Sequence, residues 1–202
     1  MKTKKKNIVN LARLSIAVLL AGLLVNMSAC NNSTSSKKDD AKNELNIKAP
    51  KIDLFAAAFM GNTNAIKQHI ATGSNLNAKD PYGSTPLQIA TIFGKTEAAI
   101  ALIEGGANLN LCSNDGSTAL HTAAFFCRIK IVESLLLNGA DKSIQNNYGS
   151  TALQSVQAPF DSVKGIYDQI VNDLEPMGFK LNYNHLESTR PIIAEMLEKY
   201  QK

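Results

Sequence analysis

The apolar residues between Lys51 and Ala158 fall into short clusters separated by polar, glycine-containing turns. Within a cluster they recur about every three or four residues, the spacing that places side chains on one face of an α-helix. We therefore predict short amphipathic helices whose apolar faces form the core. The predicted core stripe consists of Ile66 and Ile70, then Ala99, Ile100 and Ile103, then Val132, Leu135 and Leu136.

The tripeptide Gly-Ser-Thr returns at a fixed interval along the chain. It occupies residues 83–85, 116–118 and 149–151, each copy 33 residues after the one before. Several other positions keep the same interval, including Gly73, Gly106 and Gly139, which we expect to end helices in the left-handed conformation. A period shared by so many positions indicates a repeat protein whose units stack on their neighbours.

The two central copies resemble the ankyrin repeat. Residues 85–90 (Thr-Pro-Leu-Gln-Ile-Ala) and 118–123 (Thr-Ala-Leu-His-Thr-Ala) stand where that family has its Thr-Pro-Leu-His-x-Ala opening. Residues 106–110 (Gly-Ala-Asn-Leu-Asn) and 139–141 (Gly-Ala-Asp) match its Gly-Ala-Asp closing. The resemblance implies an all-α ankyrin-repeat solenoid of helix–turn–helix units joined by short hairpin fingers. It also implies a scaffold that binds another protein on its concave face and has no chemistry of its own.

We predict that the repeats cover residues 48–158, with a degenerate first unit that caps the stack. The units lie at about 48–80, 81–113, 114–146 and, as a partial copy, 147–158. Residues 159–202 follow no repeat pattern, and we predict an extended helical C-terminal cap there. Its first helix should run from Asp161 to Leu174, and its last should begin at Pro191, with Ser188 or Thr189 as the N-cap.

The N-terminus is predicted to be a targeting peptide, residues 1–29. Its basic start precedes an apolar run, Leu14–Val25, which is too short to span a membrane and fits the core of a secretory signal. Residues 27–30 (Met-Ser-Ala-Cys) resemble a bacterial lipobox, which implies cleavage before Cys30 and a diacylglycerol on its sulfur. One alternative is an ordinary signal peptide cut near Ala29. Another is a cytosolic protein with an uncleaved N-terminus, which the short apolar run disfavours.

Residues 30–47 are rich in Asn, Ser, Thr, Lys and Asp, and we predict a disordered tether between the lipid and the repeats. The expected location is the bacterial cell envelope, on the outer membrane facing the periplasm, with the inner membrane and the cell surface as alternatives. Five of the 21 Lys and Arg and none of the 17 Asp and Glu lie in residues 1–29, so the remaining chain carries 16 − 17 = −1. The basicity belongs to the targeting peptide, and we expect no nucleic-acid partner.

We find no pattern that predicts catalysis, a cofactor or a metal site. Residues 94–96 (Gly-Lys-Thr) resemble the end of a phosphate-binding loop, but Ile89 stands where that loop requires glycine. His121 is the most tempting catalytic residue. In ankyrin repeats this position bonds to the backbone of the neighbouring unit, and Gln88 and Gln154 occupy it in two other copies. We therefore expect a structural histidine.

Cys112 and Cys127 are predicted to remain free thiols. The helix between them separates them by about 13 Å at 1.5 Å per residue, whereas a disulfide needs Cα atoms within about 7 Å. Cys127 stands where the repeat has glycine, so it must adopt a left-handed conformation or prolong the helix. Its thiol is either redox-sensitive or simply tolerated in the glycine position.

The predicted partner-binding surface consists of the two residues before each inter-helix turn and three residues on the fingers. Four of the seven phenylalanines lie on it, and a contiguous apolar patch usually marks a contact surface. Alternatively, one residue of each pair is buried between units, or the C-terminal cap covers the row. The surface comprises Phe59, Met60, Ile92, Phe93, Phe125 and Phe126, with Tyr82, Asp115 and Tyr148 on the fingers.

A rival hypothesis is an enzyme or small-ligand binder with its site between the repeats and the C-terminal cap. A polar pocket lined by Tyr167, Tyr183, His185 and Arg190 would favour it, whereas a closed interface would count against it. The leading hypothesis is a non-catalytic, membrane-tethered module that binds another protein and is itself a monomer.

Overall fold

The computed structural model describes residues 50–200, and the predictions for the targeting peptide, Cys30 and the tether lie outside the described residues. Residues 50–200 form nine α-helices and no β-strand, as the all-α prediction requires. The helices are α1 Leu54–Met60, α2 Thr63–Ala71, α3 Pro86–Ile92, α4 Thr96–Glu104, α5 Ala119–Phe125, α6 Ile129–Leu137, α7 Ala152–Gln157, α8 Phe160–Leu174 and α9 Tyr183–Lys199, with a 3-10 turn at Glu175–Met177.

The threonine of each Gly-Ser-Thr copy starts the first helix of a unit. Thr85 accepts a hydrogen bond from the backbone N–H of Gln88, and the Gln88 side chain accepts one from the Thr85 N–H. This reciprocal capping box satisfies two N–H groups that a helix start otherwise leaves unpaired. The same box forms at Thr118 with His121 and at Thr151 with Gln154. The repeated tripeptide is therefore a repeated helix start.

The helices stack in two layers. The first helices α1, α3, α5 and α7 pack in sequence, and so do the second helices α2, α4 and α6. The predicted core stripe is buried except at Ile70 and Ile100, which are half-buried. Ile70 reaches the last turn of the next second helix, where Gly105 leaves space for its methyl group. Leu102, which was not predicted, is fully buried and completes the α4 contribution.

Left-handed residues end the helices where the sequence predicts them. Gly73, Gly106 and Gly139 all have positive φ after the second helices. In the inter-helix turns, Gly94 has φ +62° and Cys127 has φ +53°. Cys127 therefore adopts the left-handed conformation and does not prolong α5. It is the only non-glycine residue in the described chain with positive φ.

The last helix, α9, begins earlier than predicted. Asn182 caps it by accepting a hydrogen bond from the N–H of His185, and Ser188 and Thr189 lie within the helix. The prediction that α9 starts at Pro191 is wrong, because Pro191 sits inside the helix. A proline there removes a backbone hydrogen bond, but a continuous buried face on both sides of it holds the helix together. That face comprises Leu186, Arg190, Ile193 and Leu197.

Helix α9 packs against α7 as α4 packs against α3, and so serves as the second helix of the fourth unit. Between α7 and α9 lie residues 158–182, which we call the insertion. It stands where the second unit has only residues 93–95. The insertion contains α8, predicted to within one residue, and the 3-10 turn. No helix between residues 50 and 200 is long and apolar enough to cross a bilayer.

Candidate functional site

An aromatic row runs along the C-terminal ends of the first helices. It consists of Phe59, Phe93, Phe125 and Phe126, all members of the predicted binding surface. The rings of Phe59 and Phe93 meet edge to face, with centroids 4.6 Å apart. Phe125 and Phe126 do the same at 5.1 Å. This geometry places the positive edge of one ring against the negative face of the next, so the row is a cohesive aromatic surface.

The insertion covers the middle of the aromatic row. Phe179 lies edge-on between two row members, 5.8 Å from the Phe93 centroid and 5.6 Å from that of Phe126. Only 3% of Phe179 and 6% of Phe126 is exposed. Phe126 is therefore not open to a partner in this structure. Phe179 was not predicted as part of this surface because it lies outside the repeat period. The only signal in the sequence was that it is aromatic, since aromatic rings tend to pack against one another.

A second contact joins the insertion to the row through Tyr167. Its ring stacks on Phe125 with centroids 4.4 Å apart, and its hydroxyl donates to the Phe125 carbonyl at 2.6 Å. Burial raises the pKa of Tyr167 to about 12, although the nearby Arg190 opposes the shift. The hydroxyl therefore keeps its proton at neutral pH and remains a donor.

Arg190 of α9 holds this tyrosine from the other side. Its guanidinium donates to the Tyr167 hydroxyl at 2.9 Å, to the Ser155 carbonyl at 3.0 Å and to the Ala158 carbonyl at 2.8 Å. Arg190 is 3% exposed, and its described acceptors are neutral oxygens rather than a carboxylate. Two of them are carbonyls at the C-terminal end of α7, where the helix dipole favours a cation.

The four residues of the rival hypothesis do not line one pocket. Tyr167 and Arg190 are buried and bonded to each other, whereas His185 is exposed and pairs with Thr189 in its own helix at 3.2 Å. Tyr183 is half-buried under Lys164, whose ammonium lies 4.9 Å from the ring centroid. The interface between the repeats and α9 is closed at this point, which counts against a small-molecule site there.

Part of the predicted surface remains open. Met60 is 62% exposed at the end of α1, and Tyr148 is exposed on the last finger. Ile92 and Tyr82 are half-buried. Asp115 has a structural task, since its carboxylate accepts hydrogen bonds from residues 113 and 117 and so shapes the finger. The open surface is thus narrower than the sequence predicts.

His121 and Gln88 connect neighbouring units, as predicted. The Nδ1 atom of His121 accepts from the Thr118 N–H at 3.2 Å, which leaves Nε2–H to donate to the Ser150 carbonyl at 3.0 Å. Gln88 donates in the same way to the Ser117 carbonyl at 2.7 Å. Burial lowers the pKa of His121, so the imidazole is neutral and acts as a structural bridge between fingers.

The two thiols are free and have different surroundings. Cys112 is half-buried on a finger, with its sulfur 3.7 Å from the Asn110 carbonyl oxygen. Cys127 is buried beneath α9 and donates to the Leu186 carbonyl at 3.6 Å. Burial raises the pKa of the Cys127 thiol to about 11. A protonated, buried thiol is a poor nucleophile, which favours the tolerated-substitution hypothesis over redox sensing.

An apolar groove of about 400 Å³ lies between α6 and α9. Its walls include Leu136, Leu137, Ile192 and Met196, and Leu137 and Ile192 are exposed. The groove could not be predicted from the sequence, because it forms between residues of α6 and α9 that are more than 50 positions apart. Within residues 50–200 no group of three or more His, Cys, Asp or Glu side chains is arranged to hold a metal ion.

Comparison with known proteins supports the repeat assignment. A search of curated proteins found no match to this chain. The family model described as ankyrin repeats matches residues 54–146 in three copies. The matched span begins with α1 and ends in the finger that precedes α7, so it covers the first three helix pairs. Residues 54–146 therefore carry ankyrin repeats, which form an all-helical solenoid here and indicate a protein–protein interaction module.

Proposed function

We propose that the protein is a lipid-anchored ankyrin module that binds another protein in the bacterial cell envelope. The observation that carries the proposal is the order of two sequence features. A lipobox-like sequence ends at Cys30, and an ankyrin stack begins at Leu54. A polar segment lies between them, so the anchor and the binding module are separated by a hydrophilic stretch of chain.

The anchor would be a diacylglycerol on Cys30, with the lipid in the outer membrane and the domain in the periplasm. Treated as a flexible coil, the polar segment would hold the ankyrin stack on the order of 20–25 Å from the bilayer. The chain that remains after cleavage carries about one net negative charge, which favours neither nucleic acid nor an anionic lipid surface as a partner. We propose a monomer that meets its partner at the membrane.

The partner would contact the aromatic row together with two exposed residues, Met60 at the end of α1 and Tyr148 on the last finger. An exposed apolar side chain beside aromatic rings is typical of residues that dominate binding energy. The buried polar groups between the repeats and α9 are used in structural hydrogen bonds, as at Arg190 and Tyr167. This use of polar groups favours binding over catalysis, in keeping with a repeat family that is generally non-catalytic.

The anchor is tested by metabolic labelling of the full chain with a palmitate analogue, followed by membrane fractionation. Wild type should be labelled and pelleted with membranes. Cys30→Ala should lose the label and either accumulate as precursor or appear in the soluble fraction. Cys112→Ala is the matched control and should behave as wild type. A Cys30→Ala protein that is still labelled and membrane-bound would remove the lipoprotein part of the proposal.

A further inference from the structure

We propose that the insertion, residues 158–182, is an intramolecular ligand of the aromatic row that a partner must displace. The partner would present an aromatic side chain in the place of Phe179. This inference rests on the proposed protein-binding function and deepens it, because it states what chemistry the row selects. The covered part of the row then becomes a regulated binding site.

The insertion is not needed to close the repeat stack. Helix α9 already packs against α7 as the second helix of the fourth unit, and its buried face includes Leu186, Ile193 and Leu197. In the other units the same connection takes only two or three residues: 61–62, 93–95 and 126–128. The insertion is therefore an addition to a stack that α9 completes, and it lies across the aromatic row.

The insertion is held by a small number of side chains. Along α8 only Tyr167, Ile170 and Leu174 are buried, and Phe179 follows after the 3-10 turn. The remaining α8 residues are exposed or half-buried. Pro159 precedes the helix, and Gly178 at φ +77° allows the sharp turn that brings Phe179 onto the row. Phe160, Val163, Ile166 and Val171 also pack against the core, but they are only partly buried. A helix with few fully buried side chains is the arrangement expected of a segment that opens locally.

Two buried polar side-chain atoms, one on the insertion and one in the repeat stack, lack hydrogen-bond partners in the structure. On the insertion, Asp173 Oδ2 is buried without a donor, and in the stack Arg128 Nε is buried without an acceptor. An unpaired buried polar atom destabilises the arrangement that contains it. A segment that supplied an acceptor to Arg128 Nε would remove this cost on the side of the stack.

The surroundings of Arg128 indicate the chemistry of that segment. Its guanidinium lies 5.8 Å from the centroid of Phe126, the ring that Phe179 covers, and donates to the Ile92 carbonyl at 3.1 Å. A carboxylate next to the incoming aromatic ring could accept from the unpaired Nε. The partner we expect therefore carries a phenylalanine or tyrosine beside an acidic residue.

The test uses a fluorescent synthetic peptide of residues 159–182 as the probe, added to the full chain in detergent solution. A tethered ligand has an effective concentration of the order of millimolar, so wild type should bind the free peptide weakly. Phe179→Ala in the full chain weakens the tethered ligand and should raise affinity for the peptide at least about tenfold. Glu175→Ala, an exposed change in the same segment, is the matched control and should bind like wild type.

A peptide carrying Phe179→Ala should bind neither protein, which ties the binding to this ring. The inference is overturned if the Phe179→Ala chain keeps its melting temperature and binds the peptide no better than wild type. If Phe179→Ala unfolds the protein, hydrogen exchange of wild type decides. Amides of α8 that exchange at least about 100-fold faster than those of α6 support an insertion that opens, and equal protection overturns it. Neither measurement needs the natural partner, so failure here is distinct from failure of the proposed function.

Discussion

The Tyr167 hydroxyl donates to the Phe125 carbonyl and accepts from the Arg190 guanidinium, at 2.6 and 2.9 Å. One hydroxyl thus joins three parts of the molecule, because Phe125 ends α5, Tyr167 lies in the insertion and Arg190 belongs to α9. Its position explains how the insertion is fixed to the row at the end of α5.

Tyr167→Phe should lower the free energy of unfolding by about 1–3 kcal/mol, since it leaves a buried carbonyl and a guanidinium N–H without their partner. Urea denaturation followed by circular dichroism measures the effect. Tyr148→Phe, which removes the hydroxyl of an exposed tyrosine on the last finger, is the control and should change stability by less than about 0.5 kcal/mol. Equal effects of the two changes would contradict the bridging role of Tyr167.

The free energy of unfolding should fall at alkaline pH because of two buried groups, the Tyr167 phenol and the Cys127 thiol. Burial raises the pKa of Tyr167 to about 12 and that of Cys127 to about 11. A group whose pKa is higher in the folded state binds its proton more tightly there, so its contribution is complete below the unfolded pKa. It is lost as pH rises, from about 9 to 11 for the thiol and from about 10 to 12 for the phenol.

Urea midpoints measured from pH 7 to 11 test this trend. Cys127→Ala should flatten the decline between pH 9 and 11, whereas Cys112→Ala should leave it unchanged. A decline that is identical in all three proteins would show that Cys127 does not contribute.

The two thiols should differ in reactivity. At pH 8 a thiol with a pKa of about 11 is on the order of 0.1% thiolate, and Cys127 is also buried. We expect iodoacetamide to modify Cys112 at least about 100-fold faster than Cys127 in the folded protein, with comparable rates in urea. Peptide mass spectrometry after timed quenching gives both rates. Rapid labelling of Cys127 under native conditions would show that α9 opens readily.

His121→Gln should be tolerated and His121→Ala should not. Glutamine occupies the equivalent position at Gln88, where it makes the same capping box and the same bond to the next finger. Alanine leaves the Ser150 carbonyl and the Thr118 N–H without partners, which should lower stability by about 1–3 kcal/mol. Thermal unfolding compares the variants. A glutamine variant as unstable as the alanine variant would mean that imidazole has a further role.

Because of His121, the free energy of unfolding should also fall at acidic pH. Burial lowers the pKa of His121, so the unfolded state binds its proton more readily than the folded state. The contribution of this group is therefore complete above the unfolded value of about 6.5 and is lost as pH falls through the lowered folded value. His121→Gln should retain more stability than wild type at pH 5 relative to pH 7, and equal losses would contradict the assignment.

The repeat stack could be predicted because local rules determine it. Thr85, Thr118 and Thr151 each start a helix through a bond to a residue three positions away, and the left-handed glycines end helices in the same local way. His121 was correctly given a structural role because Gln88, one repeat earlier, makes the same capping box and the same bond to the next finger. Such interactions depend on short sequence distances or on the repeat period, and both are visible in the chain.

The insertion could not be predicted in the same way. Phe179 meets Phe93 and Phe126 across long stretches of chain, and no period links these residues. The prediction for Pro191 was wrong because proline favours the first turn of a helix. Here α9 continues on both sides of Pro191, and its buried face packs against the rest of the protein. The sequence therefore placed the residues of the predicted binding surface along the chain, but it did not show which of them remain open.

Partner capture tests the protein-binding claim most directly. Membranes containing the full chain are treated with a cleavable crosslinker, the protein is purified, and its crosslinked partners are quantified by mass spectrometry. The test variant is Met60→Asp, which places a charge at the exposed end of α1 beside the aromatic row. The control is Lys130→Asp, which introduces the same residue at an exposed position of α6. We predict that wild type and Lys130→Asp capture the same protein in equal amounts, whereas Met60→Asp captures about tenfold less with an unchanged melting temperature. Full capture by Met60→Asp would contradict binding at this surface.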